Sequence, residues 1–264
     1  MHFLITSLQN PKIKSVLALD KPRERKRQQL FTIEGRREIA LARRAGYQIG
    51  NLFFCEEMIP MTEVLQFGIP ESNLIPVSQA VFEKLAVRES SGGVLAVAVM
   101  QPKPLTQIAL PEKPLILVLE AVEKPGNLGA ILRTADAAGV DAVICCDPHT
   151  DLYNPNVIRS SIGCVFTTPI ALASTADTIQ WLKRNTISVY VTYLEASRPY
   201  HQVDYRGPSA LVMGTEATGV SRAWVENSTA NIIIPMHGEI DSLNVSTATA
   251  VVVFEAVRQR EVQN

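Results

Sequence analysis

Residues 115–136 read LILVLEAVEKPGNLGAILRTAD and decide the fold class. The first five residues are all apolar, so we predict a strand over 115–119 that is buried on both faces. The turn that follows contains proline and glycine, and an apolar stretch after it predicts a helix over 127–138. A buried strand that passes through a glycine-containing turn into a helix is typical of α/β proteins with a parallel sheet.

The same alternation continues on both sides of this stretch. Downstream we predict strands over 142–146, 188–194, 210–213 and 231–234, and helices over 175–185 and 246–260. Upstream we predict strands over 30–33, 51–55, 74–77 and 94–99, helices over 35–45 and 78–87, and a basic helical stretch over 10–29. Four prolines within residues 101–114 interrupt both patterns. We therefore predict two domains, residues 1–100 (the head) and 114–264, joined by a linker over 101–113.

The charge of the chain is nearly balanced overall but unevenly distributed. The 264 residues include 25 Lys and Arg and 26 Asp and Glu, and 47% of all residues are hydrophobic. This composition excludes a disordered or fibrous protein. Residues 1–50 hold 11 basic and 4 acidic side chains. The surplus favours binding of a polyanion by the head, and a solvated basic helix is the alternative.

Cysteine and histidine positions argue against a metal site. The four cysteines show no C-x-x-C spacing, and the four histidines form no pair at helical spacing. We expect buried thiols in a reducing cytosol. Lys12 and Lys14 interrupt the apolar start before a signal peptide could form, and no apolar run approaches the roughly 18 residues of a membrane span. We therefore expect a soluble, cytoplasmic protein.

The first candidate motif lies between the strand at 115–119 and the following helix. It contains Asn127 and Arg133, six residues apart. If the helix starts near residue 128, Asn127 is its N-cap. Arg133 stands in a very apolar helix, where a guanidinium needs an anionic or carbonyl partner; pairing with Asp136 on the surface is the alternative. The segment lacks the G-x-G-x-x-G pattern of dinucleotide-binding folds.

The second motif follows the strand at 210–213. Met213 and Gly214 end that strand, and Glu216 and Gly219 follow in the loop. Glycines let the backbone approach a ligand closely, and a carboxylate at a strand end can accept hydrogen bonds from ribose hydroxyls. An ordinary turn with an exposed glutamate is the alternative.

The third motif combines Ile234-Pro-Met236 with residues 241–246, DSLNVS. Pro235 ends a buried strand and leaves the following backbone free to bind a ligand. Ser242 or Asn244 then caps the last helix, and a cap alone could account for Asn244. Because all three polar turns follow strand ends of one sheet, we predict that they share a pocket.

These residues together resemble the SpoU/TrmH family of RNA ribose 2'-O-methyltransferases, within the knotted SPOUT superfamily. The resemblance is carried by Asn127 to Gly129 with Arg133, by Gly214-Thr-Glu216 with Gly219, and by Ile234-Pro-Met236 with Ser242-Leu-Asn-Val-Ser246. It covers about residues 115–260 and includes the segment 154–161. The head resembles the ribosomal-protein-like RNA-binding domain that many members carry. Lys124 and Ala217 depart from the aspartate and glycine that many members have there.

The resemblance implies a fold, a cofactor and site residues. The fold is a C-terminal knotted (trefoil) parallel-sheet SPOUT methyltransferase domain preceded by a small α/β RNA-binding domain. The cofactor is S-adenosylmethionine, and its implied binding residues are Met213, Gly214, Glu216, Gly219, Ile234, Met236, Leu243 and Asn244. The implied catalytic residues are Asn127, Arg133, Glu216, Ser242 and Asn244. For Arg133, two roles stay open: a proton acceptor, or a clamp on the target phosphate that orients the ribose.

The resemblance also implies partners. RNA phosphates would be contacted by basic residues of the head, namely Lys12, Lys14, Arg23, Arg25, Lys26, Arg27, Arg36 and Arg37. A homodimer would pack through the C-terminal knotted domain and its final helix, 246–260. The apolar surface of that helix is supplied by Val251, Val252, Phe254 and Val257, although these side chains could equally be ordinary core. The expected substrate is 23S rRNA; a tRNA methyltransferase and a non-catalytic ribosome-assembly factor are the alternatives. A Rossmann oxidoreductase is disfavoured because its fingerprint is missing.

Overall fold

A computed structural model describes residues 3–86, 92–195, 197–215 and 218–261. Its strands are β1 (Leu30–Glu34), β2 (Ile49–Phe54), β3 (Leu74–Pro76), β4 (Val94–Val99), β5 (Leu115–Glu120), β6 (Ala142–Cys146), β7 (Ile170–Ala173), β8 (Ser188–Thr192), β9 (Arg198–Pro199), β10 (Ser209–Met213) and β11 (Ala230–Ile233). Its α-helices are α1 (Pro11–Ala18), α2 (Pro22–Gln28), α3 (Arg36–Arg44), α4 (Met61–Gln66), α5 (Gln79–Leu85), α6 (Pro125–Ala137), α7 (Pro155–Ser160), α8 (Cys164–Thr167), α9 (Thr175–Arg184), α10 (Arg222–Glu226) and α11 (Val245–Glu261).

The chain forms two compact units. The first unit comprises Met1–Pro102 and Asp151–Thr167, and the second comprises Lys103–Thr150 and Thr168–Asn264. The first change of unit falls within the proline-rich stretch. Residues 151–167, however, pack with the first unit, although they lie inside the predicted range 114–264. The predicted domain boundaries remain a prediction. Residues 151–167 differ from them, because this segment packs with the first unit.

The first unit contains a four-stranded sheet in the order β1-β4-β2-β3. Strand β4 is antiparallel to both β1 and β2, and β2 is parallel to β3. The four strands that the sequence predicts in the head are confirmed to within two residues. Helices α1 and α5 bury Ile13, Val81 and Phe82 in one core with side chains of β2 and β4. The head is thus a small α/β unit.

The basic stretch predicted as one helix over 10–29 forms two helices, α1 and α2. Lys21 separates them with extended backbone angles, φ −87° and ψ 126°. The proline at position 22 explains the break, because the ring of a proline disfavours helical backbone in the residue before it. The proline is tolerated as the first residue of α2, where an N–H group would have no partner inside the helix.

Arg25 anchors the segment 151–167 within the first unit. Its guanidinium is fully buried and donates from Nε to Asp151 Oδ2 at 2.6 Å. Its Nη1 donates to the carbonyl oxygens of Leu19 at 2.7 Å and Asp20 at 3.0 Å. A buried guanidinium requires such partners because desolvation penalises an isolated charge. The prediction that Arg25 contacts RNA is therefore wrong, since this side chain cannot reach a phosphate.

An aromatic cluster adds to this anchoring. The Tyr153 ring lies 4.3 Å from the Phe31 ring, centroid to centroid, and the Tyr153 hydroxyl is 3.2 Å from that of Tyr47. At Gly163, with a φ of +86°, an added Cβ would come within 2.6 Å of Leu41 Cδ1. The positive φ favours glycine there, and the Leu41 side chain would have to move to admit a larger residue. These long-range contacts explain why residues 151–167 belong to the first unit.

The second unit is built on a seven-stranded sheet in the order β7-β6-β5-β10-β8-β11-β9. All of its pairings are parallel. Every residue of β5, β6 and β10 is buried, as the continuous apolar runs predicted. The predicted α/β fold with a parallel sheet is confirmed. Three short helices of the first unit, α4, α7 and α8, and the short elements β7, β9 and α10 of the second were not predicted, because two to six residues carry too little periodicity to distinguish them from loops.

Within the described ranges, none of the helices combines the length and the apolar character needed to cross a bilayer.

Candidate active site

The first two motifs leave the same edge of the sheet. Strands β5 and β10 are parallel neighbours, with Leu119 opposite Met213. Chain segments that follow their carboxyl ends therefore emerge side by side. The third motif follows β11, which is separated from β10 by β8. Its approach to the first motif consequently depends on the loop that follows β11.

Asn127 lies inside α6 rather than at its N-cap. The helix begins at Pro125, and Lys124 occupies the cap position with extended backbone angles. The alternative in which Asn127 is the N-cap of this helix is therefore not observed. The helix starts earlier because proline is well suited to the first helical position. Asn127 is half-buried in the first turn, where its side chain is available for contacts beyond its own helix.

Arg133 lies two turns further along α6 and is exposed. The buried side of the helix is formed by Leu128, Ile131, Leu132 and Ala135. Among the residues that the structure describes, no carboxylate forms an ion pair with Arg133, so pairing with Asp136 is not observed. A cation on the open side of this helix can bind an anionic group of a ligand.

Asn244 joins the third motif to the first. Its Oδ1 accepts hydrogen bonds from Ser246 N at 3.0 Å and from Ser246 Oγ at 2.6 Å, at the start of α11. Its Nδ2 donates to Asn127 Oδ1 at 3.3 Å. Asn244 thus caps a helix and also reaches the first motif. Ser242, the other candidate cap, donates instead to Asp241 Oδ1 at 3.0 Å.

The loop between β11 and α11 has main-chain groups that can form hydrogen bonds with a ligand. Within the described part of the chain, no backbone hydrogen bond involves residues 236–243. Ile234, Met236 and Leu243 are half-buried beside this backbone. Main-chain groups flanked by apolar side chains can recognise the edges and faces of a planar ligand.

The loop after β10 is closed by two backbone hydrogen bonds. Thr215 N donates to Gly219 O at 2.9 Å, and Gly219 N donates to Thr215 O at 3.1 Å. A Cβ added at Gly214 would lie 2.2 Å from the backbone carbon of Gly219, so only glycine fits there without movement. Glu216, predicted for both catalysis and cofactor binding, lies outside the described residues, as does Ala217.

Glu120 is a site residue that sequence reasoning missed. It is buried at the end of β5 and accepts hydrogen bonds from Ser221 N at 2.6 Å, Ser221 Oγ at 2.7 Å and Thr175 Oγ1 at 3.0 Å. Its carboxylate therefore links the end of the second motif to the start of α9. In the sequence, Glu120 is a single acidic residue at the end of an otherwise apolar strand. This pattern could have revealed the residue, because a buried carboxylate needs several hydrogen-bond donors around it.

The backbone beside Glu120 is strained. Ala121 and Asp147, which follow β5 and β6, have positive φ angles of 51° and 44°. Non-glycine residues rarely adopt such angles, and those that do cluster at functional sites. The strain lies at the same sheet edge as the first two motifs.

Seven of the eight basic residues predicted to bind RNA are exposed, namely Lys12, Lys14, Arg23, Lys26, Arg27, Arg36 and Arg37. Arg27 donates to Glu24 Oε2 from Nε at 3.0 Å and from Nη2 at 2.6 Å. Arg36 forms an ion pair with Glu63. These two guanidinium groups share their charge with carboxylates. The lysines, Arg23 and Arg37 are therefore better placed to contact phosphates.

The cysteines are buried, as predicted. Burial raises the pKa of both Cys145 and Cys146 to about 12, which keeps these thiols protonated. In the ranges that the structure describes, no cluster of three or more His, Cys, Asp or Glu side chains could hold a metal ion.

Comparison with known proteins identifies the family. The model of the SpoU rRNA Methylase family matches residues 114–254, and that of the MRM3-like substrate binding domain matches residues 10–96. The chain is 32% identical over 251 residues to the 23S rRNA (guanosine(2553)-2'-O)-methyltransferase RlmP of Bacillus subtilis strain 168, covering 95% of this chain and 97% of that protein.

Two solved structures resemble the chain over almost its whole length. One is an RNA 2'-O ribose methyltransferase, with a TM-score of 0.85, 39% identity and coverage of 98% of this chain and 100% of that one. The other is an AdoMet-bound rRNA methyltransferase from Sinorhizobium meliloti, with a TM-score of 0.89, 32% identity and coverage of 97% of each chain. The family match extends over more than half of the sequence, and the chain therefore belongs to the SpoU rRNA methylase family.

Proposed function

We propose that this protein methylates a ribose 2'-hydroxyl in 23S ribosomal RNA, with S-adenosylmethionine as the methyl donor. The observation that carries the proposal is the hydrogen bond between Asn127 and Asn244, which joins the first and third motifs across 117 residues of sequence. The relatives support the same chemistry, since RlmP is named as a 23S rRNA 2'-O-methyltransferase and the S. meliloti enzyme is described as AdoMet-bound.

The loops after β10 and β11 fit this cofactor. When bound, S-adenosylmethionine supplies a methyl group on a positively charged sulfur. Among the described residues, the main chain of 236–243 forms no hydrogen bond with other backbone groups, so it offers donors and acceptors for the cofactor, and half-buried apolar side chains flank that stretch. We assign cofactor binding to Met213, Gly214, Glu216, Gly219, Ile234, Met236, Leu243 and Asn244. Glu216 is kept in this set on the family resemblance alone.

Arg133 is assigned the role of a phosphate clamp. It is exposed and pairs with none of the described carboxylates, so it is available to an RNA phosphate. Guanidinium groups match phosphate geometry and stay protonated in proteins, which makes them poor proton acceptors. The positive charge would orient the ribose and stabilise the negative charge that develops on its 2'-oxygen. The hydroxyl proton would leave to solvent as the 2'-oxygen bonds to the methyl carbon, while the bond between that carbon and the sulfur would break and leave a neutral thioether.

The other polar residues of the site position this chemistry. Asn127 and Asn244 hold each other, so each restricts the rotamer of its partner. Ser242 lies on the same loop as Asn244 and is exposed, so it can contact the ribose. These roles separate the proposal from that of a non-catalytic assembly factor, which would need none of them.

Ribosomal RNA is the proposed partner of the head. The seven exposed basic residues provide phosphate contacts, and the match to a substrate binding domain model supports this use. A tRNA substrate is the second candidate. Mapping 2'-O-methyl groups on rRNA and tRNA from cells with and without the gene would identify the nucleotide, and a methyl lost only from tRNA would favour the second candidate.

Three further properties complete the proposal, and each rests on the family. We propose a trefoil knot in the second unit, a homodimer that packs through α11, and action in the cytoplasm, where ribosomes are found. Val252 must be removed from the predicted dimer surface, because it is fully buried within its own unit. Phe254 is exposed, and Val251 and Val257 are half-buried.

The Arg133→Ala variant tests the proposed chemistry. Loss of the clamp should lower transfer of labelled methyl groups to unmodified 23S rRNA by roughly a hundred-fold or more, the effect of removing a group that stabilises developing charge. Binding of S-adenosylmethionine, measured by calorimetry, should change by less than about two-fold, because Arg133 touches RNA rather than the cofactor.

Arg222→Ala is the matched control, because Arg222 is an exposed arginine of the same unit that pairs with Glu226 on α10. This variant should methylate normally. Full activity in Arg133→Ala would exclude the assignment. Loss of cofactor binding in Arg133→Ala would move this residue from the RNA to the cofactor.

A further inference from the structure

Exposed apolar side chains are concentrated at the start of the head. Phe3, Leu4 and Leu8 are 96%, 57% and 38% exposed, so three large apolar residues face solvent within six positions. Single exposed apolar residues are ordinary, but a cluster beside polar residues commonly marks a binding surface.

The segment is attached to the rest of the first unit at Ile5, and Asn10 fixes its junction with α1. Ile5 N donates to Pro76 O at 3.0 Å, and Ser78 N donates to Ile5 O at 3.0 Å, which adds Ile5 to the edge of β3. Asn10 N donates to Ser7 O at 3.2 Å, and Asn10 Oδ1 accepts from Lys12 N at 2.9 Å. Ile5 and Asn10 are therefore held by hydrogen bonds, and the exposed Phe3 and Leu4 directly precede the anchored Ile5.

The segment and the start of α1 form the walls of an open groove. Its volume is about 590 Å³, and its lining includes Phe3, Ser7, Asn10 and Lys12. This size lies in the range of clefts that hold small ligands. The groove combines an aromatic ring, hydroxyl and amide groups and one lysine, and Lys14 is exposed on the same helix.

We propose that this groove binds an unpaired nucleotide of the RNA substrate, with the base stacked on Phe3 and its phosphate beside Lys12. The proposal rests on the proposed RNA substrate. Aromatic rings stack on bases that are not paired, and lysine supplies the charge that the phosphate needs. Ser7 and Asn10 can hydrogen-bond the base edge or the ribose. The head would thereby recognise a loop or bulge in addition to the general negative charge of RNA.

The test compares two variants of the full chain on two RNA probes, a hairpin with an unpaired purine-rich loop and a fully paired duplex of equal length. Phe3→Ala should weaken binding to the hairpin about ten-fold and leave duplex binding unchanged, because stacking needs an unpaired base. It should not alter the dependence of affinity on salt. Lys12→Ala should weaken binding to both probes and lower the slope of log affinity against log salt by roughly 0.7 to 1.

A tryptophan variant and a matched control complete the experiment. Phe3→Trp should retain hairpin affinity, and its added fluorescence should be quenched by the hairpin. Leu65→Ala removes another exposed apolar side chain of the same unit, outside the groove, and should change neither affinity. Melting temperatures of all variants should match that of the wild type, because the side chains are exposed.

Three outcomes would overturn the stacking site. The first is that Phe3→Ala binds the hairpin as tightly as the wild type, and the second is that Phe3→Ala loses equal affinity for the hairpin and the duplex. The third is that the fluorescence of Phe3→Trp responds to anionic phosphatidylglycerol vesicles and not to RNA. The last outcome would identify a membrane-facing patch. Failure of the proposed methylation would be seen separately, as the absence of methyl transfer by the wild type. In that case Phe3→Ala would still bind the hairpin more weakly than the wild type does and would bind the duplex equally well.

Discussion

Glu120 shows how one buried carboxylate can organise a ligand loop. Three donors from two elements converge on it, and two of them belong to Ser221, directly after the loop of the second motif. Deleting a partner from such a group costs more than an ordinary surface change, since the remaining polar atoms stay buried without a partner. Glu120 is therefore a positioning residue for the proposed cofactor loop.

Replacing Glu120 by glutamine should weaken S-adenosylmethionine binding about ten-fold. Glutamine keeps the size of the side chain, but its amide nitrogen cannot accept a hydrogen bond, so one donor of Ser221 loses its acceptor. Hydrogen bonds to charged groups contribute about 1.5–3 kcal/mol, which corresponds to a change of this order. Calorimetric titration of Glu120→Gln and wild type with the cofactor measures the effect.

Ser221→Ala serves as the companion of that variant. If Glu120 acts through Ser221, the double variant should lose less affinity than the sum of the two single losses. If Glu120→Gln binds the cofactor as tightly as the wild type and only its melting temperature is lower, Glu120 has a structural role alone.

At the scale of elements, the loop after β10 is defined by close backbone approach. Gly214 and Gly219 lie against each other, and the reciprocal hydrogen bonds between Thr215 and Gly219 close the turn. The requirement for glycine at Gly214 is one of space, since its φ is not positive. The shape of this loop thus depends on the two backbone hydrogen bonds and on the absence of a side chain at Gly214.

Gly214→Ala should distort this loop and reduce S-adenosylmethionine affinity by roughly ten-fold or more. The added Cβ would lie 2.2 Å from backbone atoms of Gly219, so the main chain must shift. Gly207→Ala is the matched control, because an added Cβ there meets nothing within 4 Å and its φ is not positive. Fluorescence or calorimetric titration of both variants measures the difference; equal affinities would show that the loop does not hold the cofactor.

Helix α11 is fixed at both ends. Asn244 caps its start and bonds Asn127, while Arg260 near its end donates to the carbonyl oxygens of Lys113, Pro114, Tyr205 and Gly207 at 2.7–3.1 Å. Its buried side consists of Val245, Thr249, Val252, Val253 and Ala256. The opposite side carries Phe254, which is therefore free of the core and available to a partner.

At the scale of the whole molecule, the proposed homodimer makes Phe254 a decisive position. Phe254→Glu places a charge on the α11 surface, where burial in a dimer would be costly. We expect the wild type to show twice the mass of one chain by light scattering and the variant to show the mass of one chain. Leu65→Glu, at an exposed leucine of the first unit, should remain a dimer. A monomeric wild type, or a variant that stays dimeric, would remove α11 from the interface.

Long-range packing also changed the set of RNA-binding candidates. Arg25 is one of a dense run of basic residues, and nothing local separates it from Lys26 or Arg27. Only its burial against Asp151, 126 residues away, shows that it stabilises the first unit instead of binding RNA. The other lysines and arginines of this group are exposed, so the surplus of positive charge in the head remains on its surface.

The sequence by itself determined the parallel α/β architecture of the second unit and the position of each motif, because apolar runs, glycine-containing turns and the order of strands are local properties. It also placed the four strands of the head. Only the tertiary structure decided that residues 151–167 pack with the first unit, that Asn127 meets Asn244, and that Glu120 anchors Ser221. These features depend on contacts between residues far apart in sequence, and the burial of polar groups that selects such contacts leaves no periodic pattern in the chain.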